Sequence, residues 1–356
     1  MKRPIHGGNL IWAANQAGCP VTSIIDFSAS INPLGPPNTA ITAFQQGVTA
    51  IAHYPDPHYL QLRLALGKMH NISPDWIFPG NGAAELLTWA GRELANLKFT
   101  YLIVPCFQDY WRALQGFGAK IKCYPFSWES KTCLLDFPFV DPQSSGVIIN
   151  NPHNPTGKLF HRDILLSLLE KFALVVVDEA FMDFLTPHKQ QSLIPMVGDY
   201  PNLVIIRSLT KFYSIPGLRL GYAIAHPSRL QQWQLWRDPW SVNSLAVAVG
   251  EAVLNDHEFQ QKTWSWLVAS RKSLLRGLSA LKGLKPFPSA ANFLLVKTQI
   301  PSSQLQQELL EKHHILIRDC LNFPELGNGY FRVAVRSEAE NQQLLKALAK
   351  FESNQI

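Results

Sequence analysis

The hydrophobic positions of this chain group into short, continuous runs. Four of them cover residues 101–104, 147–150, 174–178 and 203–207, and they are rich in valine, isoleucine and leucine. Apolar runs of this length are typical of strands that are buried on both faces of a sheet. Segments with a helix-like pattern separate the runs. The chain is therefore predicted to have an α/β fold, with a mostly parallel central sheet and helices on both faces.

Length and composition favour a large core together with a second, smaller unit. The chain has 356 residues, of which 47% are hydrophobic and only 16% are charged. A chain of this size can bury a large core and usually divides into domains. We expect a large domain at residues 50–236, which contains the four predicted strands. Residues 1–49 and 237–356 would together form a smaller α+β domain.

A lysine follows directly after the fourth run, where strands of open sheets present ligand-binding residues. Residues 208–222 are Ser-Leu-Thr-Lys-Phe-Tyr-Ser-Ile-Pro-Gly-Leu-Arg-Leu-Gly-Tyr. The amine of Lys211 can form a Schiff base with the aldehyde of pyridoxal phosphate (PLP), while Ser208 and Arg219 can bind its phosphate. An isolated lysine at such a place is more often a solvated loop residue. The PLP hypothesis therefore depends on further motifs.

Three more motifs supply groups that PLP needs. Asp178 ends the third run and can pair with a protonated pyridine nitrogen, although aspartate at a strand-to-helix junction also caps helices. Asn154, in an Asn-Pro-Thr-Gly string after the second run, can donate to the phenolic oxygen of the cofactor; an ordinary Asn-Pro turn is the alternative. Gly82 and Ala83 lie in a glycine-rich turn that opens a predicted helix, and their amides suit a phosphate. Together the four motifs predict a PLP site.

The order of these motifs resembles that of fold-type I PLP enzymes in the aminotransferase class I/II family. Further strings, including His-Gly-Gly-Asn at 6–9, Tyr-Pro-Asp-Pro at 54–57 and Ile-Arg-Asp-Cys at 317–320, are similar to threonine-phosphate decarboxylases of cobalamin biosynthesis. The resemblance covers the chain essentially end to end. It implies a PLP-dependent carboxy-lyase that converts L-threonine O-3-phosphate to (R)-1-amino-2-propanol O-2-phosphate and carbon dioxide.

The resemblance also implies roles for individual residues, with Lys211, Asp178 and Asn154 as the catalytic set. Phe107 would stack on the cofactor ring, and Tyr54 would reach the cofactor phosphate from the neighbouring subunit of a homodimer. Arg332 would bind the substrate carboxylate and Arg318 the substrate phosphate. The other implied substrate contacts are His6, Asn32, Lys2 and Arg3. From the pattern alone, the two arginines would more often face solvent from short strands.

The runner-up is a histidinol-phosphate-type aminotransferase, which shares the cofactor motifs and also takes a phosphorylated amino substrate. Many aminotransferases of this family carry tyrosine three residues after the pyridine-binding aspartate, where this chain has Phe181. Phenylalanine is the usual residue in the decarboxylase branch, so Phe181 favours the decarboxylase. Ser30 stands where asparagine is expected in that branch.

Charge and cysteine content argue against several other classes. The formal net charge of +6 could attract phosphorylated metabolites, but lysine and arginine are scattered and no nucleic-acid-binding motif occurs. The five cysteines lack a C-x-x-C pair and the histidines lack ligand spacing, so we expect no metal. The sequence contains no transmembrane or signal-peptide segment, and we expect a cytoplasmic enzyme without membrane or nucleic-acid partners.

Overall fold

The computed structural model describes residues 3–130, 135, 137, 141 and 143–353. Its strands, in chain order, are β1 (Ile25–Asp26), β2 (Ile77–Asn81), β3 (Phe99–Val104), β4 (Ile121–Pro125), β5 (Ser145–Asn150), β6 (Leu174–Asp178), β7 (Leu203–Ser208), β8 (Leu220–Ala225), β9 (Leu284–Pro286), β10 (Phe293–Thr298), β11 (Ile315–Leu316), β12 (Arg318–Asp319) and β13 (Tyr330–Ala334). The four predicted strands correspond to β3, β5, β6 and β7.

The helices connect these strands and cover the sheet. They are α1 (Leu10–Ala17), α2 (Asn38–Gly47), α3 (Leu60–His70), α4 (Ala83–Leu94), α5 (Asp109–Gln115), α6 (Arg162–Lys171), α7 (Leu209–Phe212), α8 (Pro227–Trp236), α9 (Ser244–Leu254), α10 (His257–Ser279), α11 (Ser302–His313) and α12 (Glu338–Ser353).

A seven-stranded sheet forms the centre of the molecule, in the order β2-β8-β7-β6-β5-β3-β4. Neighbouring strands are parallel except that β8 runs antiparallel to both β7 and β2. Both faces of β6 are buried, because Val175 and Val177 join one hydrophobic cluster and Val176 joins the other. The predicted α/β fold with a mostly parallel, doubly covered sheet is confirmed.

A second, four-stranded antiparallel sheet has the order β12-β13-β10-β9. The seven-stranded sheet lies within residues 50–236 and the four-stranded sheet lies within residues 237–356. Ile25 of β1 pairs in parallel with Ile315 of β11, so the amino-terminal segment packs with the carboxyl-terminal part of the chain. The domain boundaries themselves stay a prediction.

A buried charge cluster joins the ends of β6 and β7 on the side of the sheet away from Ser208. Arg207, which is 1% exposed, forms ion pairs with Glu179 at 2.8 Å and with Asp183 at 2.5 Å. Burial alone would lower the pKa of Arg207, but the two carboxylates raise it above its ordinary value. The hydroxyl of Ser192 also donates to Glu179. This cluster therefore fixes the two strand ends that carry Asp178 and Ser208.

The described helices include none that is long and apolar enough to cross a membrane. Within the same residues, no group of three or more His, Cys, Asp or Glu side chains is placed to hold a metal ion.

Candidate active site

A cavity of about 650 Å³ opens at the carboxyl ends of β5, β6 and β7. Most of the predicted site residues line it together. They are His6, Ala83, Phe107, Asn154, Asp178, Ser208, Lys211, Arg219, Arg318 and Arg332. Strand-end residues meet here because parallel strands direct their carboxyl ends to the same edge of a sheet.

Lys211 lies in α7, the short helix that follows β7 directly. Its Nζ is 3.4 Å from the hydroxyl of Ser208 and 5.2 Å from the centre of the Phe181 ring. Burial lowers the pKa of Lys211 to about 8; Asp178 opposes this shift, while Arg219 and Arg332 add to it. The amine is thus neutral more often than that of an ordinary lysine, which suits a nucleophile that attacks an aldehyde.

Asp178 is held by two hydrogen bonds. The hydroxyl of Tyr110 donates to Oδ2 at 2.7 Å and the backbone amide of Ala180 donates to Oδ1 at 2.9 Å. The second bond closes a local turn and caps no helix, because the next helical turn, Met182–Phe184, has Phe181 as its N-cap residue. The side chain of Asp178 lines the cavity. Burial raises the pKa of Asp178, and the Tyr110 hydrogen bond and the charge of Lys211 oppose that shift. The pairing of Asp178 with a pyridine nitrogen stays a prediction.

Asn154 is fixed by its neighbours on the adjacent strands. Its backbone amide donates to Asn150 Oδ1 at 2.6 Å, and Asn150 Nδ2 donates to the backbone oxygen of Asp178 at 2.7 Å. Arg332 Nη1 donates to Asn154 Oδ1 at 2.5 Å. The acceptor atom Oδ1 thus already has a partner in Arg332, and the Nδ2 amide group is the donor that this side chain can offer to a ligand.

Hydrogen-bond donors for a phosphate collect beside the first turn of α4. Gly82 precedes this helix with a φ of +75°, and a side chain there would collide with the guanidinium of Arg219. The glycine therefore lets Arg219 lie against the helix start, where free amides and the helix dipole favour an anion. The hydroxyls of Ser208 and Thr210, 2.7 Å apart, complete the group. Gly82 itself comes directly after β2, which ends at Asn81.

Arg318 and Arg332 face each other directly across β12 and β13. They are only 6% and 9% exposed, so the expectation from the pattern that they face solvent is overturned. Arg318 donates to the backbone oxygens of Pro4 and Ile5, and Arg332 donates to that of Ser28. Neither arginine forms an ion pair in the part of the chain that the structure describes. Burial and the nearby Arg318 lower the pKa of Arg332 to about 10.

Besides Gly82 and Arg3, two of the predicted residues do not line the cavity. Asn32 is fully buried behind Lys211: its side chain donates to the backbone oxygen of Phe212 at 2.8 Å and to Thr263 at 2.9 Å, and its backbone amide donates to the Lys211 oxygen at 3.0 Å. Asn32 thus holds the lysine-bearing helix, and its side chain has no amide hydrogen pointed at the ligand site. Tyr54 is 78% exposed and stacks on Trp240 at 4.4 Å.

The amino-terminal residues were predicted to help bind substrate. His6 lines the cavity with its ring 5.7 Å from that of Phe107, and burial lowers its pKa. Arg3 pairs with Asp319 at 3.3 Å and does not line this cavity. Lys2 lies outside the described residues.

The sequence-based site prediction missed three residues: Thr210 and Ser30 line the cavity, and Tyr110 contacts Asp178. Thr210 precedes Lys211, and its hydroxyl in a Ser-x-Thr-Lys string was a usable signal. Ser30 was noted as a departure from the related branch, but the structure places it in the cavity, where its hydroxyl has no hydrogen-bond partner among the described residues. Tyr110 supports Asp178 from 68 residues away in the chain, which no local pattern could indicate.

The family model for aminotransferase class I and II matches residues 22–348. The chain belongs to this family. Its members use PLP, and the described residues fit that cofactor: an amine, an anionic partner for the pyridine nitrogen and a convergent set of phosphate donors line one cavity. The chain is therefore a PLP-dependent enzyme, as Lys211 and the surrounding motifs predicted.

Individual relatives fall into two groups. The threonine-phosphate decarboxylase of Salmonella typhimurium is 37% identical over 96% of this chain and 95% of that protein. Histidinol-phosphate aminotransferase 1 of Nitrosococcus oceani is 32% identical over 92% of this chain and 89% of that protein. The crystal structure of L-threonine-O-3-phosphate decarboxylase from Porphyromonas gingivalis aligns with a TM-score of 0.82 at 25% identity, over 92% of this chain and 99% of that one. The predicted resemblance to threonine-phosphate decarboxylases is confirmed.

Proposed function

We propose that this enzyme decarboxylates L-threonine O-3-phosphate to (R)-1-amino-2-propanol O-2-phosphate and carbon dioxide, as a step of cobalamin biosynthesis. The observation that carries the proposal is the pair of buried arginines, Arg318 and Arg332, in the same cavity as Lys211. Buried guanidinium groups without carboxylate partners are costly in an empty site and are stabilised by anionic ligands. A substrate with two anionic groups would satisfy both arginines.

The position of each arginine suggests which anionic group it binds. Arg332 contacts Asn154, the proposed partner of the cofactor's phenolic oxygen, and would hold the carboxylate next to the reacting carbon. Arg318 contacts the amino-terminal segment near His6 and would hold the phosphate farther out. Planar guanidinium groups bind carboxylate and phosphate through paired hydrogen bonds, which orients as well as attracts the substrate.

Orientation decides which bond to the α-carbon breaks. PLP, when bound, acts as an electron sink for whichever bond is held perpendicular to its ring plane. By binding the carboxylate and the phosphate of the substrate, Arg332 and Arg318 would hold the bond between the α-carbon and the carboxylate in that orientation. The carboxylate then leaves as carbon dioxide, its bonding electron pair stays with the α-carbon, and that carbon takes up a proton. Lys211 is the proposed donor, since its pKa of about 8 makes its ammonium group a stronger acid than an ordinary lysine.

Histidinol-phosphate aminotransferase activity is the second candidate, because relatives with that name are 29–33% identical to the chain. Phe181 is the observation that disfavours it. The Phe181 ring lies 5.2 Å from Lys211 Nζ and offers no hydroxyl. Asn154 is then the proposed donor to the cofactor's phenolic oxygen.

A homodimer with shared sites is also part of the proposal. Tyr54 is exposed, lies outside its own subunit's cavity and stacks on Trp240. It would reach the cofactor phosphate in the partner subunit. Mixing Tyr54→Ala protein with Lys211→Ala protein tests this, because mixed dimers would contain one site with both residues and would regain activity. Lack of any recovery in verified mixed dimers would contradict the shared site.

Two parallel assays test the proposed reaction. PLP-loaded protein is incubated with O-phospho-L-threonine while carbon dioxide is measured, and with histidinol phosphate plus 2-oxoglutarate while glutamate is measured. We expect carbon dioxide in the first assay, no glutamate in the second, and neither product with Lys211→Ala. Glutamate without carbon dioxide would instead establish the aminotransferase.

A further inference from the structure

Tyr110 is a buried tyrosine whose hydroxyl forms a hydrogen bond to a carboxylate of the site. It is 1% exposed, and the hydroxyl donates to Asp178 Oδ2 at 2.7 Å. Burial raises the pKa of Tyr110 well above its ordinary value, and the negative charge of Asp178 adds to that shift. The hydroxyl therefore keeps its proton at neutral pH and acts as the donor to the Asp178 carboxylate.

We propose that Tyr110 is a positioning residue that holds the Asp178 carboxylate ionised and oriented for the pyridine nitrogen of PLP. The inference rests on the assignment of Asp178 to that nitrogen. A hydrogen bond donated to a carboxylate favours its charged form, whereas burial favours the neutral form. Tyr110 and Ala180 each occupy a different oxygen of Asp178, which fixes the carboxyl plane and leaves further acceptor capacity for the ring nitrogen.

The turn that carries Tyr110 also contacts other parts of the site. The backbone amide of Tyr110 donates to the oxygen of Phe107, the predicted stacking residue, and the two rings meet edge to face with centres 5.7 Å apart. Two residues further on, Arg112 pairs with Asp109 and donates to the backbone oxygen of Ala84 at 3.1 Å. The first turn of α5 thus contacts three parts of the proposed site. These are Phe107, which would stack on the cofactor ring, Asp178, which would pair with the pyridine nitrogen, and Ala84, beside the proposed phosphate site.

Several neighbouring groups affect the ionisation of Asp178, and Tyr110 is one of them. Lys211 stabilises the carboxylate by its charge, Asp109 opposes ionisation, and the Tyr110 hydrogen bond opposes the effect of burial. The pyridine nitrogen of bound PLP would be a further partner of this carboxylate, and the Tyr110 hydrogen bond would keep the carboxylate ionised and in place for it.

The test is Tyr110→Phe, which keeps the ring and its packing and removes one hydroxyl. We expect the dissociation constant of PLP, measured by equilibrium dialysis and by cofactor fluorescence, to rise about tenfold or more, because a hydrogen bond to a charged group is lost. The absorbance of bound PLP should also titrate differently with pH. Tyr222→Phe is the matched control: its buried hydroxyl bonds at the same 2.7 Å, but to His70 Nε2 and not to a carboxylate of the site.

A double-mutant comparison separates positioning from mere structural support. In an Asp178→Asn background the carboxylate is absent, so Tyr110→Phe should lose most of its effect on PLP affinity while its effect on the melting temperature persists. The proposal is overturned if Tyr110→Phe and Tyr222→Phe behave alike, or if the loss of PLP affinity is as large in the Asp178→Asn background. It also falls if Asp178→Asn leaves PLP affinity unchanged, whether or not O-phospho-L-threonine is decarboxylated.

Discussion

Arg207 and Arg332 are both buried, but their surroundings differ. Arg207 lies between the carboxylates of Glu179 and Asp183, which raise its pKa. Among the described residues, Arg332 donates only to the neutral oxygens of Asn154 and Ser28, and its pKa is lowered to about 10. A buried charge that the protein neutralises itself serves the scaffold, whereas one that it leaves unneutralised is available for a ligand of opposite charge.

The largest effect is expected when the neutralised arginine is removed. Arg207→Leu leaves two carboxylates buried without a cation, so we expect the free energy of unfolding to fall by about 3–5 kcal/mol. Urea unfolding at pH 7 measures this loss. Lys312→Gln, which removes an exposed partner of Glu308, is the control and should stay within about 0.5 kcal/mol.

The pH dependence of that loss checks its cause. Burial already raises the pKa values of Glu179 and Asp183, and loss of Arg207 would raise them further. Above those values both carboxylates are charged and the destabilisation is complete; as the pH falls through them, protonation relieves it. The gap between variant and wild type should therefore narrow from pH 7 to pH 5. A gap that widens would contradict this account.

Removing the unneutralised arginine should affect catalysis and spare stability. For Arg332→Gln we expect kcat/KM for O-phospho-L-threonine to fall about 100- to 1000-fold, since charged hydrogen bonds to the carboxylate are lost. The free energy of unfolding should change by no more than about 1 kcal/mol, because no buried carboxylate is left unpaired. Arg336→Gln, near the same strand but paired with Glu340 and outside the cavity, should retain most activity. The comparison fails if Arg332→Gln mainly unfolds the protein.

A smaller effect is expected on the pH dependence of PLP capture by Lys211, which lines the same cavity as Arg332. Its pKa of about 8 predicts that PLP capture by the apoprotein, followed by the absorbance of lysine-bound cofactor, speeds up with pH to a midpoint near 8. Arg332 contributes to that lowered pKa, so Arg332→Gln should move the midpoint upward. A midpoint near the ordinary lysine value of about 10.4 in the wild type would contradict the burial of this amine.

Local sequence patterns predicted many of the site residues. They could not predict contacts between residues that are far apart in the chain. Apolar runs that end in polar residues located Asp178, Asn154 and Lys211, because each group lies at the end of its own strand or within four residues after it. The pairing of Arg318 with Arg332 depends on β12, a strand of only two residues, so no periodicity could reveal that the two side chains share a buried face. The sequence likewise showed that Asn32 was polar but could not show which groups its amide would meet.

The most direct test of the central claim uses substrate discrimination. The ratio of kcat/KM for O-phospho-L-threonine to that for L-threonine reports how much the enzyme gains from the phosphate. If Arg318 binds the phosphate and Arg332 the carboxylate, Arg318→Gln should reduce this ratio about 10- to 100-fold, while Arg332→Gln lowers both rates and leaves the ratio nearly unchanged. A ratio that is unchanged in Arg318→Gln, or that falls only in Arg332→Gln, would contradict the account.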